Sequence, residues 1–411
     1  MRLNVSALVM FGGLGCAAAL LSATALSQPA APGPVRYAMD AATMSGMGAM
    51  TGGGGLGAMM GMMRGGPHEA VRSLTLHHGA STTAPKPQAD HFMPQGAGLG
   101  TSVTLLPPLR GEIGGESSFQ RPSGRLLLFW GCGEHAPKGQ PVVIDFAKVA
   151  RGEMPPGLFM QGVDLPEDWR VTAANSRTYT TWPHGDDRKS VPANGSLLGP
   201  HRIAANYSKE IAFTLAEDFM PPLQARTSEA AGGGSRLAWN GIDKATGYYA
   251  WAMGAKDGGR GGTPTEMVWW ASSSQQAFGG PLWDWISPVG VRRLIAAGTV
   301  MPPEQRDCTV PAEVIKASGE GIMVNLQAYG PQADFAYPPR PADTRKPWNP
   351  EWIARVRFRS STMLIPGMED MGGDMGQANS GASGTREEAR PRKPKCRGLK
   401  GLAERAAGLC E

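Results

Sequence analysis

Trp352–Ser360, WIARVRFRS, alternates from end to end: Ala354, Val356 and Phe358 fall on one side and Arg355, Arg357 and Arg359 on the other. A period of two places one face in a core and the other outward, which predicts a strand and not a helix. The arginines then stand about 7 Å apart along that strand. Such a row either meets phosphate or lipid head groups or keeps a strand face soluble and its edge unpaired. Ile322–Tyr329, IMVNLQAY, repeats the pattern with Ile322, Val324, Leu326 and Ala328 inward.

Upstream, Arg236–Trp239 (RLAW), Ala245–Trp251 (ATGYYAW) and Met267–Ser272 (MVWWAS) add three strand candidates. Leu237-x-Trp239, the Ala245-Thr246-Gly247-Tyr248 turn and a later strand ending Ala328-Tyr329-Gly330 resemble the fibronectin type III pattern. In that family a buried Trp on the second strand packs under a third strand opened by such a turn. The resemblance covers 223–366, implies a β-sandwich and carries no functional residues. It also leaves a surplus of chain: about 144 residues, against ~100 for such modules. The surplus predicts a helical insertion over about 283–319, with Ser287-Pro288 as cap and first residue, Val291, Leu294 and Ile295 as the buried stripe, Gly298 as the stop, and a second short helix from Pro311 to Gly319. The chain as a whole resembles secreted bacterial proteins, a likeness that brings no activity with it.

Before residue 223 the strand signals are shorter. Arg125–Trp130 (RLLLFW), Val142–Val149 (VVIDFAKV) and Lys209–Leu215 (KEIAFTL) predict a small β domain over 101–222. Residues 28–100 read as a low-complexity arm rich in Met, Gly and Pro, too poor in core-forming side chains to offset its ordering entropy; a short strand or turn is expected near His68–His78. A basic tail occupies 367–411. Residues 1–27 have the order of a cleavable export signal: Arg2, an apolar run from Val5 to Leu21, and small residues at Ala23-Thr24-Ala25 and Ala25-Leu26-Ser27. That run is shorter than the ~20 residues a bilayer span requires. Cys16 suggests a lipoprotein instead, but Gly13 stands where a large aliphatic residue is expected. The expectation is therefore a mainly β protein of two β-sandwich-like domains with disordered ends, periplasmic or secreted, with no transmembrane span after cleavage.

Charge narrows the partners. Of 40 basic and 35 acidic residues, Arg2 lies in the signal, and eight basic and four acidic residues lie in 377–411. The remaining body holds 31 of each and is neutral, which argues against nucleic acid. Export leaves Cys132, Cys308, Cys396 and Cys410 in an oxidising compartment. Cys396–Cys410 closes a short loop, and Cys132–Cys308 would staple the two domains unless both remain buried thiols.

Methionine is the compositional anomaly, at 22 residues. Met39, Met44, Met47, Met50, Met59, Met60, Met62 and Met63 precede His68, His77 and His78, while Met363, Met368, Met371 and Met375 lie among Glu369, Asp370 and Asp374. Thioethers select Cu(I) and imidazole holds either copper state, so Met59, Met60, Met62, Met63, His77 and His78 form a candidate copper set. Low-complexity drift or pliable contacts explain the same composition without a metal.

No catalytic set emerges: G-x-S-x-G and H-E-x-x-H are absent. Cys132-Gly133-Glu134-His135 lacks the further ligands a zinc site requires. His135, His184 and His201 are the candidate loop histidines for a hydrolase. Eight of eleven tryptophans (239, 251, 269, 270, 283, 285, 348 and 352) lie in the second region, and aromatic platforms bind sugars or partner chains. One of Trp269 and Trp270 must face away from the core unless the insertion covers it. These features favour an exported, non-enzymatic cell-envelope protein with a binding or structural role, an envelope protein or glycan being the partner its aromatics would suit, with a periplasmic copper protein and a loop-His hydrolase as alternatives.

Overall fold

The computed structural model describes residues 33–51, 70–109, 124–153, 170–185, 187, 189–256, 265–319 and 321–366. Residues 1–27, read above as an export signal, and Met59–Met63, Cys396, Cys410 and the basic tail lie outside them. In chain order the strands are β1 (Val35–Gly46), β2 (Val71–Ala80), β3 (Ala89–Phe92), β4 (Ser102–Leu105), β5 (Arg125–Trp130) and β6 (Val142–Asp145). There follow β7 (Thr178–Trp182), β8 (Gly199–Ala205), β9 (Ile211–Leu215), β10 (Ala225–Glu229) and β11 (Ser235–Trp239). The last are β12 (Gly247–Lys256), β13 (Glu266–Ala271), β14 (Asp307–Val310), β15 (Ile322–Tyr337) and β16 (Trp352–Leu364).

The protein is mainly β, and its strands form three sheets. A nine-stranded sheet runs β6-β5-β13-β12-β15-β16-β1-β2-β7; two smaller ones run β4-β3-β8-β9 and β10-β11-β14. Both small sheets lie on the same face of the large one. Phe213 of β9 is 6.3 Å from the Tyr37 ring of β1, and Trp239 of β11 is 5.4 Å from Tyr248 of β12. Residues of all three sheets share one buried cluster, including Tyr37, Leu105, Ile203, Leu237, Val310 and Val356. The result is two sandwiches resting on one continuous sheet.

β16 forms as its alternation requires: Ala354, Val356 and Phe358 are buried and the arginines face the other way. Burying a Val or Phe side chain is worth roughly 1.5–3 kcal/mol. β16 is not an edge, however, so its arginines do not protect one. It lies between β15, antiparallel, and β1, parallel, with Val35 opposite Trp352 and Gly46 opposite Met363.

That pairing overturns the flexible arm for the part of it described here. Residues 35–46 form an interior strand, and 71–80 and 89–92 form two more. VRYAMDAATMSG carries no clean alternation because both its faces are covered. Tyr37, Met39 and Ala41 enter the core, while Ala38, Asp40 and Ala42 are buried on the opposite side. A strand buried twice does not alternate. The boundary at 222/223 also fails to separate sheets, since β5 pairs in parallel with β13. Downstream of β6, Asp145 ends the expected strand early: its carboxylate accepts the amides of Ala147 and Lys148 and caps the short helix Phe146–Ala150.

Between β13 and β15 the helical insertion is present. Ser287 Oγ accepts the Gly290 amide at 3.2 Å, Pro288–Ala296 is helical, and Gly298 (φ 72°) ends it. The helix Ala312–Ser318 stops at Gly319 (φ 66°). A Cys132–Cys308 disulfide (Cα–Cα 5.2 Å) ties the end of β5 to β14, the pairing expected as a staple between the two regions. Closing so long a loop constrains the unfolded chain, so Cys132→Ala/Cys308→Ala should lower the unfolding free energy by about 2–5 kcal/mol in urea titrations.

Candidate functional site

The second face of the large sheet is where chemistry collects. Over β5, β13, β12 and β15 it is covered by the insertion: Phe278, Leu282, Ile286, Val291 and Leu294 pack on Leu128, Tyr249, Ala271 and Tyr329. The turn Trp283-Asp284-Trp285 is pinned down by the sheet. Arg359 donates to the Trp283 carbonyl at 3.0 Å and lies 4.5 Å from the Trp285 ring centroid, while Gln327 donates to the Asp284 carbonyl at 3.3 Å.

Trp283 is the centre of an aromatic group, 4.9 Å from Trp251 and 5.3 Å from Trp269, which is itself 5.3 Å from Phe278. Gly279 (φ 55°) permits this crossing, because a Cβ there would come within 2.9 Å of the Trp269 ring. Trp269 thus faces the insertion while Trp270 faces the core, where its indole donates to the Gly131 carbonyl at 2.9 Å. None of the eight tryptophans is fully exposed; Trp251, Trp269, Trp283, Trp285 and Trp348 are half-buried.

Four buried N–H donors around Trp283 have no acceptor among the described residues: Trp269 Nε1, Trp283 Nε1, Asn325 Nδ2 and Arg359 Nε. Asn325 is opposite Trp251 in the β12–β15 register, and Arg359 holds the Trp283 backbone, so the four belong to one neighbourhood. Gln332 Oε1, on the same face, is likewise without a donor, and Trp239 Nε1 is a further unsatisfied indole on the opposite face. Native proteins leave only a few such groups per hundred residues, and each costs about 1–3 kcal/mol when buried unmet.

Beyond Trp285 the same face is charged but internally paired. Arg357 grips Asp40 with two bonds of 2.7 and 2.8 Å, across the β1–β16 register. Arg355 meets Asp334 at 2.7 Å. His77 Nδ1 is 2.7 Å from the Tyr179 hydroxyl, and His77 Nε2 is 3.9 Å from Asp40. Burial pushes the His77 pKa down; Asp40 and Asp284 oppose that shift and Arg357 adds to it. The arginine row is therefore engaged within the fold and is not a bare phosphate-binding strip. Asp40→Ala deprives the half-buried Arg357 of its carboxylate, and denaturant titration should show a loss of about 3–5 kcal/mol.

Inside the first sandwich is a second polar group that pattern reading missed. The Leu197 carbonyl can only accept, so His201 Nε2 donates to it (2.7 Å) and His201 Nδ1 accepts from His91 Nε2 (3.0 Å). His91 Nδ1 then accepts from the Tyr37 hydroxyl at 2.6 Å. A parallel chain runs from Thr180 to Tyr207 to His78, each step 2.6 Å, and on to Ser208 at 3.3 Å. Every tautomer in these chains is that of a neutral imidazole. Burial lowers the His78 pKa to about 4 and lowers those of His91, which His201 depresses further, and His201. The unfolded chain binds these protons near 6.5, so stability is complete above that pH and falls as pH drops toward 4. His78 alone contributes on the order of 3 kcal/mol to that loss. Urea midpoints at pH 7.5, 6, 5 and 4 should decline steeply; a flat series contradicts the neutral network.

The expected ligands separate accordingly. Consecutive residues of a strand point to opposite faces, so His77 lies beside Tyr179 and Asp40 while His78 lies in the core; the two cannot converge on one copper ion. His201 is a buried strand residue whose hydrogen-bond partners among the described residues are His91 and the Leu197 carbonyl. His135 meets Glu313 at 3.1 Å on an exposed surface, and His184 is 3.9 Å from Asp187. Cys132 is half of the disulfide and not a ligand.

Comparison with known proteins gives no match: no family model matches the sequence, and no curated protein and no solved structure is similar to it. Among the described residues, no helix is long and apolar enough to cross a membrane.

Proposed function

We propose that this is an exported, non-enzymatic binding protein of the cell envelope, and that it takes an acceptor-rich ligand, an envelope glycan first among them, at the Trp251–Trp269–Trp283 face. Export rests on the order of residues 1–27. The scaffold is read as a fibronectin type III-like sandwich over 223–366. Taking β10 to β16 as seven strands, the first, second and fifth form one sheet and the third, fourth, sixth and seventh lie consecutively in the other. Immunoglobulin-like sandwiches set strands one, two and five against three, six and seven in this way.

The single observation that carries the ligand reading is the set of four buried donors without acceptors. Sugars present hydroxyl, ring and carbonyl oxygens to such donors, and apolar C–H faces to indole rings. Recognition by polar atoms set among aromatics is the usual construction of a small-ligand site.

The test removes the donors one at a time and keeps an apolar side chain at each position. Intrinsic fluorescence and calorimetric titration with solubilised envelope glycan fragments should show saturable binding. Trp283→Phe and Asn325→Leu should each weaken it about ten-fold, ~1.4 kcal/mol, and Trp239→Phe should not. Asn325→Leu deletes an unmet donor at nearly constant volume and should not destabilise the unliganded protein, whereas Trp283→Phe also loses ring contacts and is read against its own unfolding midpoint. Binding that is absent, or equal in all variants, overturns the reading.

A further inference from the structure

Toward the ends of β1 and β16 the arginine face gives way to methionine. Five consecutive strands, β13, β12, β15, β16 and β1, each place one methionine on that face: Met267, Met253, Met323, Met363 and Met44. Their neighbours in sequence identify the face. Val268, Ala252, Ile322, Val324 and Leu364 all enter the opposite core, and Ser45 bonds to the Leu223 carbonyl on that same core side.

The register brings the five into one row. Met253 is directly opposite Met323; Met363 is opposite Asn325 on one side and Gly46 on the other, one step along from Met323 and Met44 respectively. Met267 is diagonal to Met253, which is itself opposite Trp269. Direct and diagonal cross-strand neighbours are about 5–8 Å apart, within the combined reach of two unbranched thioether side chains. Just past the strand end, the Met47 amide donates to the Met363 carbonyl at 2.8 Å.

An outward strand face ordinarily carries polar residues. Here Met253 and Met323 are 41% and 37% exposed, and the other three are half-buried. The exposed Leu and Val side chains, Leu109, Val143, Leu198 and Val289, lie on other elements, so this corner is specifically sulfur-rich and not merely apolar. Among the described residues no group of three or more His, Cys, Asp and Glu is arranged to hold a metal. Neutral thioethers suit a soft monovalent cation above all others.

We propose that this methionine row is an open site for Cu(I), held by two or three sulfurs drawn from adjacent strands. The proposal goes beyond the ligand reading above and does not depend on it. It also differs from the copper set read in the sequence, since it uses neither His77 nor His78 nor Met59–Met63.

The test uses the full mature chain under ascorbate, with a chromophoric Cu(I) chelator as competitor. Met253→Leu/Met323→Leu/Met363→Leu keeps the apolar volume and removes three sulfurs. The expected result is an apparent Cu(I) affinity at least ten-fold weaker than the parent, with an unchanged thermal midpoint. A second variant, Met59→Leu/Met60→Leu/Met62→Leu/Met63→Leu, should retain the binding that the sheet variant loses. Failure of the parent to compete for Cu(I), or full affinity in the sheet variant, overturns the proposal. The latter outcome leaves the row as an apolar contact surface, which leucine serves as well.

Discussion

β1 and β16 lie side by side in parallel through twelve residue pairs, and the rest of the architecture depends on that seam. It joins the sheet of one sandwich to the sheet of the other, so that β2 and β7 continue what β12, β13 and β15 begin. Parallel neighbours cannot be joined by a tight turn. Here the connection between them is almost the whole folded chain, and every other element is folded between its two edges. The Arg357–Asp40 pair spans the seam on one face, and on the other Met39 and Val356 stand opposite one another in the core. Loop-closure entropy for so distant a pairing must be offset by burial on both faces of β1. Its burial on both faces meets that requirement.

The seam also explains how one face acquires three kinds of chemistry. Because the sheet is continuous, the aromatic group under the insertion, the paired arginines and the methionine row are successive zones of one surface. Arg359 connects the first two: it bonds to the Trp283 backbone, lies under Trp285 and retains an unmet Nε. The buried imidazole chains occupy the other side of the sheet, between it and β3, β8 and β9. There they satisfy polar groups that would otherwise be costly in a core.

Much of the second sandwich was legible in the sequence, because its strands alternate and its helices carry their own punctuation. Phe358 and Val324 announce their faces, and Ser287, Gly298 and Gly319 mark helix ends that the fold keeps. β1 was not legible. Ala38, Ala41 and Ala42 are small because the strand is covered on both sides, and small residues beside Gly and Met read as low complexity. Partners distant in the chain were invisible for a different reason. Nothing local in RVRFRS points to Asp40, and nothing around His201 points to His91. Cys132–Cys308 belongs to one of three possible connectivities, and the two thiols meet only because the segment after β5 runs beside β14, where the Gly133 amide donates to the Thr309 carbonyl. The tryptophan count pointed to the aromatic face, but the unmet donors become visible only once the burial of each atom is known.

Native-state hydrogen exchange, read by mass spectrometry over peptides spanning 35–46, tests the seam most directly. An interior strand exchanges only through large-scale opening. The account predicts protection of the β1 amides equal to that of β16 and β12, rising and falling with global stability. Exchange of the 35–46 amides at the rate of an unstructured chain, while β16 remains protected, would contradict it.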